Sequence, residues 1–277
     1  MDTLFDEETA VEHLGAGRYG AVASARWGAY VGPNGGYLAA LVLNAFTDTV
    51  NEPGRRVRSI SLHYLEPPAF GPLEIDVSVE RAGRSMTSLT GRLRQGGRAK
   101  VLATAAFSSD RRSPAFQDAT MPSVPPPPEL PLRSTGEAVE GRAGTTGVGG
   151  DGPAEGLEIV QVMGGGLQSG EPADIAAWVR LTEPRPLDAL LAAVYVDGWY
   201  PALSVRIPEP VPAPTVDLTI HFRQHLPPDG ADPTTPYLLR LLSRVAADGF
   251  VEEDAELWSP SGMLLVQSRQ LEVVLRG

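Results

Sequence analysis

Apolar and polar residues alternate along this chain in short runs, and the longest of these runs occurs twice. Residues 57–71 read V-R-S-I-S-L-H-Y-L-E-P-P-A-F-G, and residues 215–228 read T-V-D-L-T-I-H-F-R-Q-H-L-P-P. Ile60, Leu62 and Tyr64 share one face of the first run; Val216, Leu218, Ile220 and Phe222 share one face of the second. A period of two predicts half-buried strands. Each run ends in a His–aromatic pair followed by Pro-Pro. Further alternating segments come after each, around R-Q-G-G-R in the first copy and S-P-S-G-M in the second. A repeat on this scale is the mark of a duplicated unit.

The remaining pattern fills in each copy. A first strand is predicted over 19–27, and G-P-N-G-G then opens a helix from Tyr37 to about Thr47, with Leu38, Leu41, Val42 and Ala45 at helical spacing. Strands follow at about 56–65, 73–82, 86–95 and 98–108, joined by Gly-containing hairpin signals. The second copy is predicted to carry a strand near 174–182 and a helix at about 187–197. Its further strands are predicted at about 214–223, 237–246, 249–259 and 262–274. From about 110 to 156 the chain is rich in Pro and Gly, including Pro125 to Pro128, and reads as an exposed linker. The expected organisation is an N-terminal half over 1–110, a linker over 111–160 and a C-terminal half over 161–277. The fold class is α+β: two antiparallel sheets, each wrapped around a central helix, which is the hot-dog layout in tandem.

Composition narrows the chemistry. The net charge of −11 argues against nucleic acid or an anionic membrane as partner. No apolar run reaches the roughly eighteen residues of a transmembrane helix, and the acidic start M-D-T-L-F-D-E-E-T is unlike a signal peptide, so a cytoplasmic protein is expected. The chain has no Cys, which removes disulfides, thiolate metal sites and a cysteine nucleophile. His13, His63, His221 and His225 show no metal spacing with carboxylates, so no metal is assigned. There is no G-x-S-x-G elbow for a serine hydrolase. G-V-G-G-D-G at 147–152 follows no strand and is discarded as a nucleotide fingerprint. Arg92, Arg94, Arg98 and Lys100 alternate along a hairpin, either as a solvated face or to meet the phosphates of a ligand.

The motifs S-I-S-L-H-Y-L-E-P and D-V-S-V-E-R-A-G-R-S in the first half resemble the double hot-dog acyl-CoA thioesterases, the type II bacterial thioesterase family. In the second half, V-D-G-W-Y-P, P-T-V-D-L-T-I-H-F and G-M-L-L-V-Q-S-R-Q carry the same resemblance. It covers nearly the whole chain apart from the linker. It implies hydrolysis of acyl-CoA at a water held by an Asp, a Thr and a Gln, which fall on Asp197, Thr215 and Gln270. The pattern departs from the family at Ile220-His221-Phe222, in place of Trp-Phe-His, and at Leu271, where an acidic residue is usual. No cofactor is implied, because a thioester is already activated.

The residues bear on that reading in their own right. Hydrolysis without a covalent intermediate needs a base or aligner for water and donors for the developing oxyanion. Asp197 closes an apolar helix just before Gly198, where the negative end of the dipole disfavours a carboxylate. A carboxylate that merely ends a helix in solvent fits the same position. Thr215 is an ordinary strand residue type, and Asp217, expected on the same face, is a competitor for the role of base. Gln270 aligns with Ala105 of the first copy, so only the second copy can orient a water there. Gly35 and Gly36 open the first helix with backbone N–H groups able to approach a substrate oxygen; Asn34 is its N-cap. Trp199 and Tyr200 are expected to border the acyl slot. The rival readings are a non-catalytic acyl-CoA or acyl-carrier binding protein and an enoyl-CoA hydratase, whose N-P-x-H-like loop is missing. Assembly stays open between a monomer and a homo-oligomer.

Overall fold

The computed structural model describes residues 3–127, 156–209 and 211–275. In chain order, the first half holds α1 (Leu4–Glu8), β1 (Glu12–Gly15), β2 (Arg18–Ala23) and the short ladder of β3 (Gly28–Ala29) with β4 (Gly32–Pro33). Then come α2 (Gly35–Val50), β5 (Arg56–Tyr64), β6 (Gly71–Ala82), β7 (Met86–Gln95) and β8 (Arg98–Ser108). After the gap follow β9 (Leu157–Met163), β10 (Asp174–Leu181), α3 (Ala189–Tyr195), α4 (Leu203–Arg206) and β11 (Thr215–Phe222). The chain closes with β12 (Tyr237–Leu242), β13 (Ala246–Ala247), β14 (Phe250–Trp258) and β15 (Leu264–Val273).

The two expected sheets are one. Strand order runs β1-β2-β6-β7-β8-β5-β11-β15-β14-β12-β10-β9, and β13 pairs with β14. The order from β2 to β5 is repeated in mirror sequence from β10 to β11. The halves meet where β5 pairs antiparallel with β11, Ile60 opposite Ile220 and Leu62 opposite Leu218. These four side chains are fully buried. Period-two strands with one apolar face need a partner surface, and joining edge to edge also satisfies the backbone groups that a free edge would expose.

α2 lies across β2, β5, β6, β7 and β8, and it also packs against α3. Its Ala39, Ala40, Leu41, Val42, Leu43 and Ala45 are all fully buried, so it is enclosed on more than one side. Small residues let α3 approach closely: a Cβ at Gly36 would lie 2.4 Å from the Ala193 carbonyl oxygen. A tight entry also marks α2, where Asn34 caps the helix by accepting from Tyr37 N at 2.9 Å.

Elements without a long periodic run escaped the sequence pattern: α1, β1, α4 and β9. α1 is tied to the second half, since Leu4 N donates to Glu183 and Arg185 pairs with Asp6 at 2.9 Å. The Pro-rich stretch expected as an exposed linker is largely exposed over its described residues, yet it is held against the second half. Trp178 Nε1 donates to the Pro125 carbonyl at 3.0 Å, Leu264 N donates to Gln117 Oε1, and Met121 and Val124 cover Trp178 and Trp258. This strap explains why β10 is buried on both faces. Residues 128–155, including the G-V-G-G-D-G motif, lie outside the described residues.

Candidate active site

A cavity of about 350 Å³ opens at the seam between the halves, where the N-terminus of α2 faces the turn after α3 and the ends of β11 and β15. Asp197, Thr215 and Gln270 all line it, as do Gly35, Trp199 and Tyr200. The chain thus brings residues far apart in sequence to one place, with the helix start from the first half and the polar side chains from the second.

Asp197 stands just beyond α3, whose C-cap is Val196. The carboxylate does not act on its own helix: Oδ2 accepts from Gly36 N at 2.7 Å and from Asn34 Nδ2 at 3.0 Å, at the positive end of α2. Asn34 Nδ2 also donates to the Asp197 carbonyl at 2.7 Å. The expected cause of a raised pKa, the negative end of α3, is therefore replaced by another. Burial pushes Asp197 up to about 6, against the bonds from Gly36, Asn34, Gln270 and Gly35 that favour its ionised form. Asp197 is only part-buried and lines the cavity. Gly198 is required by packing: a Cβ there would sit 2.7 Å from the Val194 carbonyl oxygen.

Thr215 reaches the site through a bulge. Alternation places it with Asp217 on the face away from Leu218, but the register of β11 against β15 shifts between Thr215 and Asp217. Thr215 Oγ1 consequently donates to Gln270 Oε1 at 3.1 Å. Asp217 instead stands opposite His63 and Leu271 and does not line the cavity. Gln270 belongs to the inward period of β15 with Val266, Ser268 and Glu272, all buried. Its Nε2 donates to Glu253 Oε1 at 3.0 Å and to Glu272 Oε1 at 3.3 Å.

Gly36 N–H is committed to Asp197, and the Gly35 carbonyl accepts from Tyr64 Oη at 2.8 Å. A Cβ at Gly35 would lie 3.0 Å from Asp197 Oδ2 and 3.2 Å from Tyr64 Oη, so both glycines are needed for this approach. Trp199 and Tyr200 pack with ring centroids 4.6 Å apart and planes tilted by 52°, and Tyr200 Oη donates to Gln161 Oε1 at 2.9 Å. That leaves Trp199 and Tyr200 as aromatic wall, with Leu38 and Ile159 adding apolar surface.

Sequence pattern missed Glu253 and Glu272, which also line the cavity and are almost fully buried. Their signal was present: each occupies an inward position of an alternating strand, where its period mates Val251, Ala255 and Leu257, or Val266, are apolar. Asn34 was read only as a helix cap, and its second bond crosses to a residue that sequence spacing cannot connect.

Comparison with known proteins agrees with this architecture. Residues 23–108 match the family model of the acyl-CoA thioesterase N-terminal domain, and residues 135–274 match that of the acyl-CoA thioesterase C-terminal domain. An uncharacterized protein of Mycobacterium tuberculosis is 28% identical over 268 residues, spanning 88% of this chain and 87% of its own. A hot-dog protein of unknown function from Alicyclobacillus acidocaldarius superposes with a TM-score of 0.82 at 26% identity, with 100% of both chains covered. An acyl-CoA thioesterase II from Mycobacterium marinum superposes at 0.74 with 20% identity, over 99% of this chain and 98% of its own, and so shares the fold. With a model matched in each half and the tandem repeat built around one shared cavity, this chain belongs to the acyl-CoA thioesterase family.

Proposed function

We propose that this protein hydrolyses acyl-CoA thioesters to a free acid and coenzyme A, with Asp197 as the base. The observation that carries the reading is the placement of one carboxylate, raised by burial to about 6, at a cavity it shares with Thr215 and Gln270. A base near neutrality combines the correct protonation state with useful driving force. The water oxygen attacks the thioester carbonyl carbon while its proton passes to Asp197. The C–S bond then breaks, and the thiolate leaves and takes up a proton. Thr215 and Gln270 hold the water, and the acyl chain lies along Trp199, Tyr200 and Leu38. Gly35 and Gly36 act first on Asp197, shaping the base rather than gripping the substrate directly. The working halves are residues 1–110 and 161–277, joined by the Pro/Gly-rich segment, and no cofactor is invoked.

Release of free thiol from acyl-CoAs of graded length, by wild type and Asp197→Ala, tests the reading. Turnover should fall by about 10²–10⁴ in the variant. A folded wild type that turns over none of them would leave acyl-CoA binding without catalysis. Undiminished activity in Asp197→Ala would give the base to another group.

A further inference from the structure

The chain that leads into β11 reads V-P-A-P-T over residues 211–215, with proline at every second position. Pro214 O accepts from Val273 N at 3.0 Å, and Pro212 O accepts from Leu275 N at 2.9 Å. Bonds two residues apart on both chains carry the antiparallel spacing of β11 and β15 past the start of β11. The Pro212–Ala213 peptide is trans, so Ala213 N–H points opposite to the Pro212 carbonyl and away from β15. Among the described residues nothing accepts from it. In an extended chain the N–H and carbonyl of one residue share a side, so the donors missing at Pro212 and Pro214 would have faced β15. The edge turned away from β15 is left intact.

On that other side the ladder joining the two halves runs out. β5 and β11 pair from Ser59 opposite His221 to His63 opposite Asp217, and no further. Past Tyr64 the first chain turns toward β8, where Leu65 N donates to Lys100 O at 2.8 Å. The two chains part like a fork, and both prongs line the cavity: Leu65, Pro67 and Pro68 on one, Val211, Ala213 and Pro214 on the other. Tyr64 and Thr215 stand at its root, on the same cavity as Asp197. The first prong is poor in donors, because the Leu65 N–H is used and Pro67 and Pro68 have none. The second is half-buried and carries a backbone N–H with no acceptor, a group that calls for a partner.

We propose that this fork holds the pantetheine arm of coenzyme A as an added strand, whose amide groups exchange hydrogen bonds with the N–H and carbonyl of Ala213. The arm is an extended chain with two secondary amides, and main-chain pairing at a free edge recognises such a chain. Its branched methyl groups suit the Leu65 and proline prong. Because proline fixes φ, the second prong already has its binding shape and loses little freedom when the arm arrives. An acyl chain has no amide and makes no use of Ala213 N–H, so the fork reads the carrier while Trp199 and Tyr200 face the acyl group. This assignment rests on the thioesterase reading for the identity of its ligand.

Ala213→Pro deletes the hydrogen within a segment already set by prolines, and Ala213→Gly keeps it. The readout is the ratio of kcat/KM for an acyl-CoA to that for the same acyl group on ethanethiol, which has no amide. The ratio should fall roughly threefold to tenfold in Ala213→Pro, the worth of one hydrogen bond, and Ala213→Gly should hold the wild-type ratio. A ratio unchanged in folded Ala213→Pro overturns the proposal, as does an equal fall in Ala213→Gly. Two further measurements need no turnover: the Kd of coenzyme A, and hydrogen exchange at Ala213 N–H in the wild type. Coenzyme A should slow that exchange, and its Kd should rise by the same factor in Ala213→Pro. Coenzyme A that fails to bind, or binds and leaves the exchange unchanged, overturns the proposal even where Ala213→Pro does not fold. If wild type hydrolyses neither thioester, the thioesterase reading fails, and slowed exchange with bound coenzyme A still upholds the arm site.

Discussion

Ser61 and Thr219 hold the same place in the two copies of the repeat, each two residues before its strand's histidine, and they face each other across the seam with Oγ and Oγ1 3.0 Å apart. Their backbones are direct partners in the β5–β11 ladder. Equivalent residues can meet in this way only on a two-fold axis. The pseudo-symmetry of the whole molecule therefore runs between these two hydroxyls, and the cavity lies off it.

Gly36→Ala should destabilise the fold and lower activity together. In an exposed helix the change would favour folding by about 0.5–1 kcal/mol. Here the added Cβ meets the Ala193 carbonyl oxygen at 2.4 Å and Asp197 Cβ at 3.0 Å, so α2 and α3 must separate and the bond to Asp197 lengthens. Urea denaturation alongside thiol release would show it, and unchanged values for both would refute the account.

Asn34→Ala should move the acid limb of the pH–rate profile upward. The Asn34 bond favours ionised Asp197, so its loss raises a pKa that now stands at about 6. More of the base is then protonated at any given pH, and the rate at pH 6 should fall further than the rate at pH 8. The variant also loses a helix cap, worth about 0.5–2 kcal/mol, which denaturation reports separately.

Stability should decline as pH rises from about 5 to above 8. Asp197 and Glu253 have folded pKa values of about 6 and about 8, above their ordinary values of 3.8 and 4.5. The folded state thus holds protons that the unfolded chain releases, so their contribution is full below the unfolded pKa and is lost as pH passes the folded one. Glu272 acts in the same sense. His221, held down by partial desolvation and by Arg223, acts in the opposite sense. Carboxyls held low by partners, such as Asp254 beside Arg269, titrate below this window. Tm should drop by roughly 2–4 °C for each kcal/mol lost in a chain of this size. A flatter curve is expected for the Glu253→Gln, Glu272→Gln double variant.

Arg185→Ala should loosen the N-terminus without touching the cavity. Arg185 is largely buried, pairs with Asp6 at 2.9 Å and Asp188 at 2.7 Å, and lies 4.8 Å over the Phe5 ring. Removing it leaves two carboxylates short of their partner, a loss on the order of 1 kcal/mol because both carboxylates are open to solvent and screened. Proteolysis within the first ten or so residues should accelerate, while KM for acyl-CoA stays close to that of wild type.

Much of this architecture was legible because it rests on periodicity. The strands bearing Ile60, Leu218 and Gln270 announce their inward faces every second residue, and the helix behind Asn34 announces its cap. Contacts that depend on the third dimension were not legible. The bulge that brings Thr215 to Gln270 reverses a face, which no alternation rule foresees. Asp197 was expected to answer to its own helix, and it answers instead to Gly36, in the other half of the chain. Glu253 and Glu272 sit at inward positions that alternation does mark, but their contacts with Gln270, made across and along the sheet, it does not.

The β5–β11 seam has a consequence for how the protein responds to dilution. Two separate subunits joined along such an edge would part as their concentration fell, and a cavity built between them would vanish. Here both partners ride on one chain, so each half meets the other at an effective concentration set by the connecting segment, not by how much protein is present. Loss of perfect two-fold symmetry is then tolerated: Ala105 stands where Gln270 does in the other copy, and Val57 where Thr215 does. One pocket can specialise while its twin falls silent, and a scarce protein keeps its pocket whole.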